Sequence, residues 1–366
     1  MKNLIFFDKI KPFYKDSSYS KRQISIHKFQ DVQITGDTIH YPLALIHDLS
    51  SSNHILPLRE KFMSLGRGAI YERSMKYKFI HKKIKKIDNN FYFYFIYNNA
   101  NYYHFIYDTL PYLWNFFTLK KSIPKIKILT NFPENQKQNY DFFYDCLALL
   151  GINKNSITIA NSNTVYSNLF ISTSLTHNGK SNSPPHPNIY KVYEKFKYSF
   201  KKSDKFSKIY ISRRTWIKNK KNIKNIGTDY TLRRQLINED EIVSELSKYG
   251  FREVFCEDLT MSEKINLFKN AKYVIGPIGG GMCNLLFAKQ NTKVLSINSP
   301  LFFQINKRFI YSMSHTNLTH FNDTSFIKDP KTSISGKGAL SISGGLNTPW
   351  MVNLPKFKKI LQKFMS

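Results

Sequence analysis

The pattern of hydrophobic and polar positions changes near residue 207. Before it, short apolar runs alternate with polar turns, and the first hundred residues predict short strands and turns. In residues 81–97, two β-rich runs flank Asp88, Asn89 and Asn90, which predicts a hairpin. Three further elements are predicted before the change: a buried strand at 125–131, a helix at 139–151 closed by Gly151, and a helix at about 188–202.

From Ser207 onward, strand-like and helix-like segments alternate with short connections. Helix starts are predicted at Asn238 and at Thr260, each followed three residues later by a glutamate, and Gly250 predicts a helix end. A glycine turn and a short helix follow the strand at 272–276. Such alternation is typical of a parallel, doubly wound sheet.

The domain organisation follows from length and from one loop. A chain of 366 residues is long enough for two domains, and the proline-rich residues 181–187 predict a boundary. We therefore predict an N-terminal domain at 1–187, a C-terminal domain at 188–335 and a tail at 336–366. The tail carries an amphipathic, lysine-rich helix that is expected to pack back on the protein, the alternative being an anionic membrane surface.

Composition and charge limit the classes of protein that are possible. An apolar content of 42%, with 15% aromatics, argues against disorder. The net charge of +30 comes mostly from lysines spread along the chain, and either an AT-rich coding sequence or an anionic partner accounts for it. Three distant cysteines give neither a disulfide framework nor zinc spacing, and the most apolar window, 91–117, is interrupted by polar residues. We expect a soluble, cytoplasmic protein.

The glycine turn after the strand at 272–276 contains Gly279, Gly280 and Gly281. Small residues before a helix let a ligand approach the backbone, and the helix start favours a phosphate. The turn lacks the Lys-Ser/Thr of a P-loop and the glycine spacing of a dinucleotide fingerprint. By itself it is either structural or ligand-binding.

Two arginines, Arg213 and Arg214, follow the predicted strand at 207–212, at the end where ligands gather in α/β folds. Paired guanidinium groups suit a diphosphate, although in so basic a chain they also occur as surface residues. His104 and Asp108 lie four apart in the aromatic segment 101–117, a helix that Pro111 breaks or kinks. They share a helix face, so they either serve one site or are polar residues of an aromatic core. Two groups are too few for a metal site.

Three stretches in this order resemble the pattern of glycosyltransferase family 61 over residues 90–300: "NYYHFIYDTLPYL", "YISRRTW" with "NEDEIVSEL", and "GPIGGGMCNLLFA" with "TKVLSIN". That family includes bacterial capsular-polysaccharide enzymes, plant xylan-decorating transferases and eukaryotic O-linked N-acetylglucosaminyltransferases. The resemblance implies a GT-B architecture, in which two Rossmann-like α/β domains with parallel doubly wound sheets enclose a cleft. The C-terminal domain would hold the donor nucleotide. The resemblance also implies inversion without an essential metal, and the sequence contains no Asp-x-Asp.

The sequence thus predicts an inverting, metal-independent glycosyltransferase that needs no cofactor. Its expected donor is a nucleotide-sugar, specifically a UDP-sugar. Its expected acceptor is a glycan or lipid-linked glycan in surface or capsular polysaccharide synthesis, at the inner face of the membrane or free in the cytoplasm. We expect His104 to act as the base and Asp108 to orient or replace it. The diphosphate is expected to bind to Arg213, Arg214, Gly279, Gly280 and Gly281. Asn284 and Glu239 are expected to contact the nucleotide or its ribose.

Two alternatives remain open at this stage. The first is a basic nucleic-acid-binding protein, which the charge favours although no recognisable nucleic-acid module is present. The second is a catalytically inactive, glycan-binding relative. It stays open because the family usually reads Gly-Pro-His-Gly-Ala-Gly at the turn, whereas this chain has Ile278 for the histidine and Gly280 for the alanine.

Overall fold

In the computed structural model, the chain consists of two compact units, Met1–Phe196 and Lys197–Ser366. The structure describes residues 5–6, 14–16, 24–35, 45–48, 54–57, 84–95, 102–130, 141–176, 184–196, 207–214, 235–300, 307–327 and 349–366. Within these parts of the chain, no helix has the length and the apolar character needed to cross a membrane.

The N-terminal unit contains a ten-stranded sheet. Its strands are β1 (Ile5–Phe6), β2 (Tyr14–Asp16), β3 (Ile24–Phe29), β4 (Val32–Thr35), β5 (Leu45–Asp48), β6 (His54–Pro57), β7 (Lys86–Tyr94), β8 (Lys127–Thr130), β9 (Ile157–Ile159) and β10 (Thr164–Ser172). The order across the sheet is β1-β6-β5-β4-β10-β7-β8-β9, with β3 also paired to β10 and β2 paired to β3.

This sheet is mixed, not wholly parallel as predicted. The pairs β7–β10, β7–β8 and β8–β9 are parallel, whereas the pairs β2–β3, β4–β5 and β5–β6 are antiparallel. The strands of each of these antiparallel pairs are separated by fewer than ten residues, whereas a parallel pair needs a connection of about a dozen residues or more. The short strands predicted for the first hundred residues are therefore present, and most of them extend the parallel part through antiparallel pairs, while β1 pairs in parallel with β6.

The predicted hairpin in residues 81–97 is wrong, because β7 runs through its expected turn as one strand. Both halves of β7 pair in parallel with β10, where Tyr166 lies opposite Asp88 and Asn168 lies opposite Phe91. Three steps along β7 thus match two along β10, which is a β-bulge. The backbone N–H of Asn90 donates to the Asp88 carboxylate at 3.0 Å, so the turn-forming residues stabilise the bulge.

The helices of the N-terminal unit are α1 (Leu113–Ser122), α2 (Asp141–Leu149) and α3 (Asn188–Glu194), with a 3-10 turn at Lys154–Ser156. Gly151 follows α2 with a φ of 79°, the left-handed conformation that glycine adopts most easily, so the predicted helix end is confirmed. An irregular helical segment precedes α1 and is described below with the site.

The C-terminal unit contains the parallel sheet that the sequence predicts. Its strands are β11 (Lys208–Ile211), β12 (Arg252–Val254), β13 (Tyr273–Pro277), β14 (Lys293–Ile297) and β15 (Asn317–Phe321), in the order β12-β11-β13-β14-β15. All four pairings are parallel. The alternating helical elements are α4 (Glu239–Ser247), α5 (Met261–Asn270) and α6 (Lys307–Tyr311), with 3-10 segments at Cys256–Asp258 and Gly280–Phe287.

The first strand of this sheet, β11, lies between the second and the third. The strand order therefore reverses direction between β11 and β13, which makes this point the topological switch of the sheet. In open α/β sheets the crevice beyond the carboxyl ends of the strands at such a switch binds ligands.

The two predicted helix starts differ in the structure. Thr260 and Glu263 form the predicted capping box, with Thr260 Oγ1 accepting from the Glu263 N–H at 3.3 Å. Asn238 precedes α4 but does not cap it, because its side chain exchanges two hydrogen bonds with the Val352 backbone. Gly250, with a φ of 77°, follows the last turn of α4 as predicted.

The C-terminal segment packs on the core of its own unit. A two-stranded sheet of β16 (Thr324–Phe326) and β17 (Trp350–Val352) precedes α7 (Leu354–Met365). The apolar face of α7 contributes Phe357, Leu361 and Phe364 to the same buried cluster as Trp350. Burial of this face accounts for the amphipathic pattern of the tail.

Candidate functional site

The aromatic segment around His104 is a helix of changing pitch. A helical turn at Tyr102–His104 widens into a π-helix at Phe105–Thr109, tightens into a 3-10 turn at Leu110–Tyr112 and continues as α1. Pro111 lies in the 3-10 turn, so the predicted break at this proline is confirmed. Proline lacks an N–H and its ring clashes with the preceding turn, which is why a regular α-helix cannot pass through it.

One carbonyl group of the π-helix needs a hydrogen-bond donor from outside the segment. In this geometry each carbonyl accepts from the N–H five residues later, and for Ile106 that residue is Pro111, which has none. The hydroxyl of Tyr193, from α3, donates to the Ile106 carbonyl at 2.6 Å instead. Since π-bulges occur often at functional sites, the side chains presented by this segment are of interest.

His104 and Asp108 are in contact, as their spacing predicts. The His104 Nδ1 and an Asp108 carboxylate oxygen are 2.6 Å apart. Asp108 is buried, whereas His104 keeps 15% of its side chain exposed. Every other residue between Tyr103 and Leu113 is buried, so His104 is the position through which this stretch reaches the surface of its unit.

The arrangement defines the proton chemistry of the imidazole. An ionised carboxylate only accepts hydrogen bonds, so Asp108 accepts the hydrogen bond from the Nδ1–H group and fixes the tautomer of the ring. The lone pair of a neutral imidazole then lies on Nε2, which is the atom that can take a proton from a substrate. The pair has the geometry of a base and the carboxylate that orients it.

The aromatic residues of the segment belong to the core. The rings of Phe142 and Phe143 both lie 5.3 Å from that of Phe105, and Tyr107 and Tyr112 are buried as well. The two interpretations of this segment are therefore compatible, because the aromatics fill the core while His104 lies at its boundary.

In the C-terminal unit, Arg213 extends from the end of β11 towards the glycine turn after β13. Its Nη1 lies 3.5 Å from the Ile278 carbonyl. A methyl group built on Gly279 would be 2.8 Å from the same nitrogen. Arg213 and the turn therefore meet at the topological switch point, where a guanidinium and backbone N–H groups can together bind an anion.

Glu239 holds the end of β11 in place. One carboxylate oxygen of this buried residue accepts from the Tyr210 hydroxyl at 3.0 Å, the Ser212 hydroxyl at 3.1 Å and the Arg213 N–H at 2.9 Å. Burial raises the pKa of Glu239, and these hydrogen bonds oppose the rise. Burial also lowers the pKa of Arg213, which the nearby carboxylates of Glu239 and Glu257 counteract.

Arg214 forms ion pairs with carboxylates and does not contact the glycine turn. Its guanidinium makes a two-pronged ion pair with Glu253 on β12 and a further ion pair with Asp240 in the first turn of α4. Hydrogen bonding and charge from Glu253 raise the pKa of Arg214. The structure thus separates the two arginines, since only Arg213 contacts the turn.

The glycines of the turn serve different needs. A methyl group on Gly281 would be 2.9 Å from Ile211 on β11, so close packing against the sheet requires glycine there. A methyl group on Gly280 would meet nothing within 4 Å. The fold therefore leaves room for a side chain at Gly280.

Two other residues near the turn are buried. Asn284 is fully buried and its amide donates to the Gly281 carbonyl at 2.9 Å, so it fixes the shape of the turn. Ile278 is 1% exposed, and its N–H donates to the Ile297 carbonyl on β14. Direct contacts of Asn284 and Glu239 with a nucleotide stay predictions.

Sequence reasoning missed three residues at this edge of the sheet. Tyr210 and Ser212 donate hydrogen bonds to Glu239. Glu257 follows β12 and interacts electrostatically with Arg213. Glu257 had a usable signal, since it lies near the end of residues 251–258, which the sequence predicts as a strand of the parallel sheet. Tyr210 and Ser212 had none, because their role depends on a helix that starts 27 residues after Ser212.

No group of three or more histidine, cysteine, aspartate or glutamate side chains in the described ranges could hold a metal ion. A family model described as Glycosyltransferase 61 matches residues 102–295, which is more than half of the chain and includes every predicted site residue. No curated protein matched the chain.

Proposed function

The chain belongs to glycosyltransferase family 61, and we propose that it is an inverting, metal-independent enzyme that uses a UDP-sugar. Membership of the family implies transfer of a sugar from a donor to a glycan acceptor. The identity of the donor, the stereochemistry and the roles of individual residues belong to the proposal. The GT-B arrangement expected from the resemblance stays a prediction.

The observation that carries the proposal is the contact between His104 and Asp108. In a single displacement, the Nε2 of His104 takes the proton of the acceptor hydroxyl as its oxygen attacks the anomeric carbon. The bond from that carbon to the diphosphate oxygen breaks, and attack from the opposite side inverts the anomeric configuration. Asp108 stabilises the imidazolium that forms, so the pair supplies both the base and its compensating charge.

The leaving diphosphate needs positive charge. We propose that Arg213 and the backbone N–H groups of the glycine turn provide it, because both lie at the switch point of the C-terminal sheet. Glu239, Asn284 and Arg214 then support this site by holding the end of β11, the turn and β12. A guanidinium is always protonated at neutral pH, so neutralisation of the diphosphate by Arg213 does not depend on a divalent cation.

The proposal also covers the location and the acceptor. Cys146, Cys256 and Cys283 are buried and form no disulfide, which suits a reducing compartment such as the cytoplasm. Bacterial members of the family build capsular polysaccharides, and we propose an acceptor of this class.

The test of the catalytic pair compares His104→Ala and Asp108→Asn with the wild type. Each variant should lose about a hundredfold or more in turnover, the scale of general-base catalysis, with donor affinity nearly unchanged. Asp141→Asn makes the same chemical change at an exposed position of the same unit and should be fully active. Wild-type turnover in both variants would refute the assignment.

The donor is tested by thermal unfolding in the presence of UDP-, GDP-, CMP- and dTDP-sugars. A ligand that binds only the folded protein raises the unfolding temperature, and we expect the UDP-sugars to give the largest increase. A larger increase with another nucleotide would replace UDP in the proposal. Absence of any increase, together with retention of nucleic acid through a high-salt wash, would favour a nucleic-acid-binding protein instead.

A further inference from the structure

Three loops meet at the carboxyl edge of the C-terminal sheet. The first follows β11 and carries Arg213, and the third is the glycine turn after β13. The second follows β12 and contains Cys256 and Glu257. The Cys256 sulfur would lie 3.6 Å from a methyl group on Gly281, and the charge of Glu257 acts on Arg213. The loop after β12 therefore borders the proposed diphosphate site.

Glu257 differs from the other carboxylates near this edge. Glu239 accepts three hydrogen bonds on one oxygen, and both oxygens of Glu253 are bound by Arg214. By contrast, the Glu257 Oε1 is shielded from solvent and accepts no hydrogen bond from the described residues. This oxygen can therefore accept a hydrogen bond from a ligand.

A carboxylate oxygen removed from water without a hydrogen bond destabilises the fold, and native proteins leave few such atoms. A ligand that supplies the donor would remove this penalty. Phosphate groups cannot do so because they are negative, whereas a sugar hydroxyl can. In α/β folds that bind nucleotides, an acidic residue after the second strand accepts from a ribose hydroxyl while the phosphates lie at the first turn. Glu257 follows β12, the second strand of this sheet.

We propose that Glu257 binds a ribose hydroxyl of the nucleoside diphosphate, an inference that rests on the diphosphate site proposed above. Arg213 and the glycine turn would hold the phosphates, and Glu257 would select a ribonucleotide by accepting one hydrogen bond. A hydrogen bond to a charged acceptor is among the stronger ones, so its loss is measurable.

Calorimetry with UDP, 2′-deoxy-UDP and 3′-deoxy-UDP tests this role. The wild type should prefer UDP over at least one deoxy form by about tenfold or more. Glu257→Ala should bind that deoxy form and UDP equally well. Its affinity for the deoxy form should match or exceed the wild-type value, since removal of a carboxylate also removes repulsion of the diphosphate.

Two further variants make the result specific. Asp258→Asn removes the same charge from the next, exposed residue and should keep the ribose preference. Glu257→Gln keeps the shape of the side chain and should lose part of the preference, which decides the matter if the alanine variant does not fold.

The outcomes separate the two proposals. A retained ribose preference in Glu257→Ala, or an equal loss of affinity for UDP and both deoxy forms, overturns the role of Glu257 alone. Unchanged UDP affinity in Arg213→Ala overturns the diphosphate site and this inference with it.

Discussion

Substitution of Gly279 by alanine should disable the proposed diphosphate site without harming the fold. The backbone at Gly279 is extended, with φ of 169° and ψ of −173°, so alanine adopts it without strain. The added methyl group would lie 2.8 Å from the Arg213 Nη1, closer than two non-bonded atoms pack. The guanidinium must therefore move away from the turn.

The size of the effect follows from what the guanidinium loses. The guanidinium is 3.5 Å from the Ile278 carbonyl, which is a long contact, and it lies at the end of a flexible side chain. Its displacement therefore costs the folded protein little stability. A hydrogen bond between charged groups is worth roughly 1.5–3 kcal/mol. Loss of one such bond to a diphosphate weakens binding by about 10- to 150-fold.

Calorimetric titration with UDP measures this loss, and thermal unfolding verifies the fold. Gly280→Ala is the matched control, because its methyl group would meet nothing within 4 Å and the family pattern carries alanine at this position. It should bind UDP within about twofold of the wild type. In an Arg213→Ala background, Gly279→Ala should cause no further loss, since the group that it displaces is already absent.

Two results would contradict this reasoning. If Gly279→Ala and Gly280→Ala bind UDP equally well, the contact between the turn and the guanidinium does not matter for the nucleotide. If Gly279→Ala weakens binding by the same factor with and without Arg213, the turn acts independently of that residue.

Four further predictions address the supports of the site and its chemistry. Tyr193→Phe should lower the free energy of unfolding by about 1–3 kcal/mol, because it leaves the Ile106 carbonyl without its hydroxyl donor; unchanged denaturation would count against this role. Arg214→Ala should reduce thermal stability by separating Glu253 from its cation, while UDP affinity of the folded variant stays within about threefold. Excess EDTA should leave transfer activity intact, and activity that returned only with manganese or magnesium would contradict the metal-independent mechanism. Because burial raises the pKa of Glu239 above its ordinary 4.5, the folded protein holds that proton to higher pH than the unfolded chain. The free energy of unfolding should therefore fall as pH rises from about 4.5 through the raised pKa of the folded protein, and Glu239→Gln should reduce this decline in denaturant titrations.

Local patterns in the sequence determined the elements of the C-terminal unit. The alternation of strands and helices, the capping box at Thr260 and the helix end at Gly250 depend on residues a few positions apart, as does the helix end at Gly151 in the N-terminal unit. The contact of His104 with Asp108 also follows from their spacing. Each of these signals is satisfied within one helical turn or one connection, so tertiary structure has little chance to override it.

Only the tertiary structure decided the features that depend on distant partners. The strand β7 continues through Asp88 because β10, which is remote in sequence, pairs with both of its halves. Likewise, Asn238 turns from the helix it precedes to Val352 in β17.

The same reason separates Arg213 from Arg214. They are neighbours of identical chemistry, and nothing in the pair itself says which one faces a ligand. Their different roles follow from strand order, which places the glycine turn on one side of β11 and Glu253 of β12 on the other. Strand order is set by which apolar faces the whole chain can bury together, and no single stretch of the sequence contains that information.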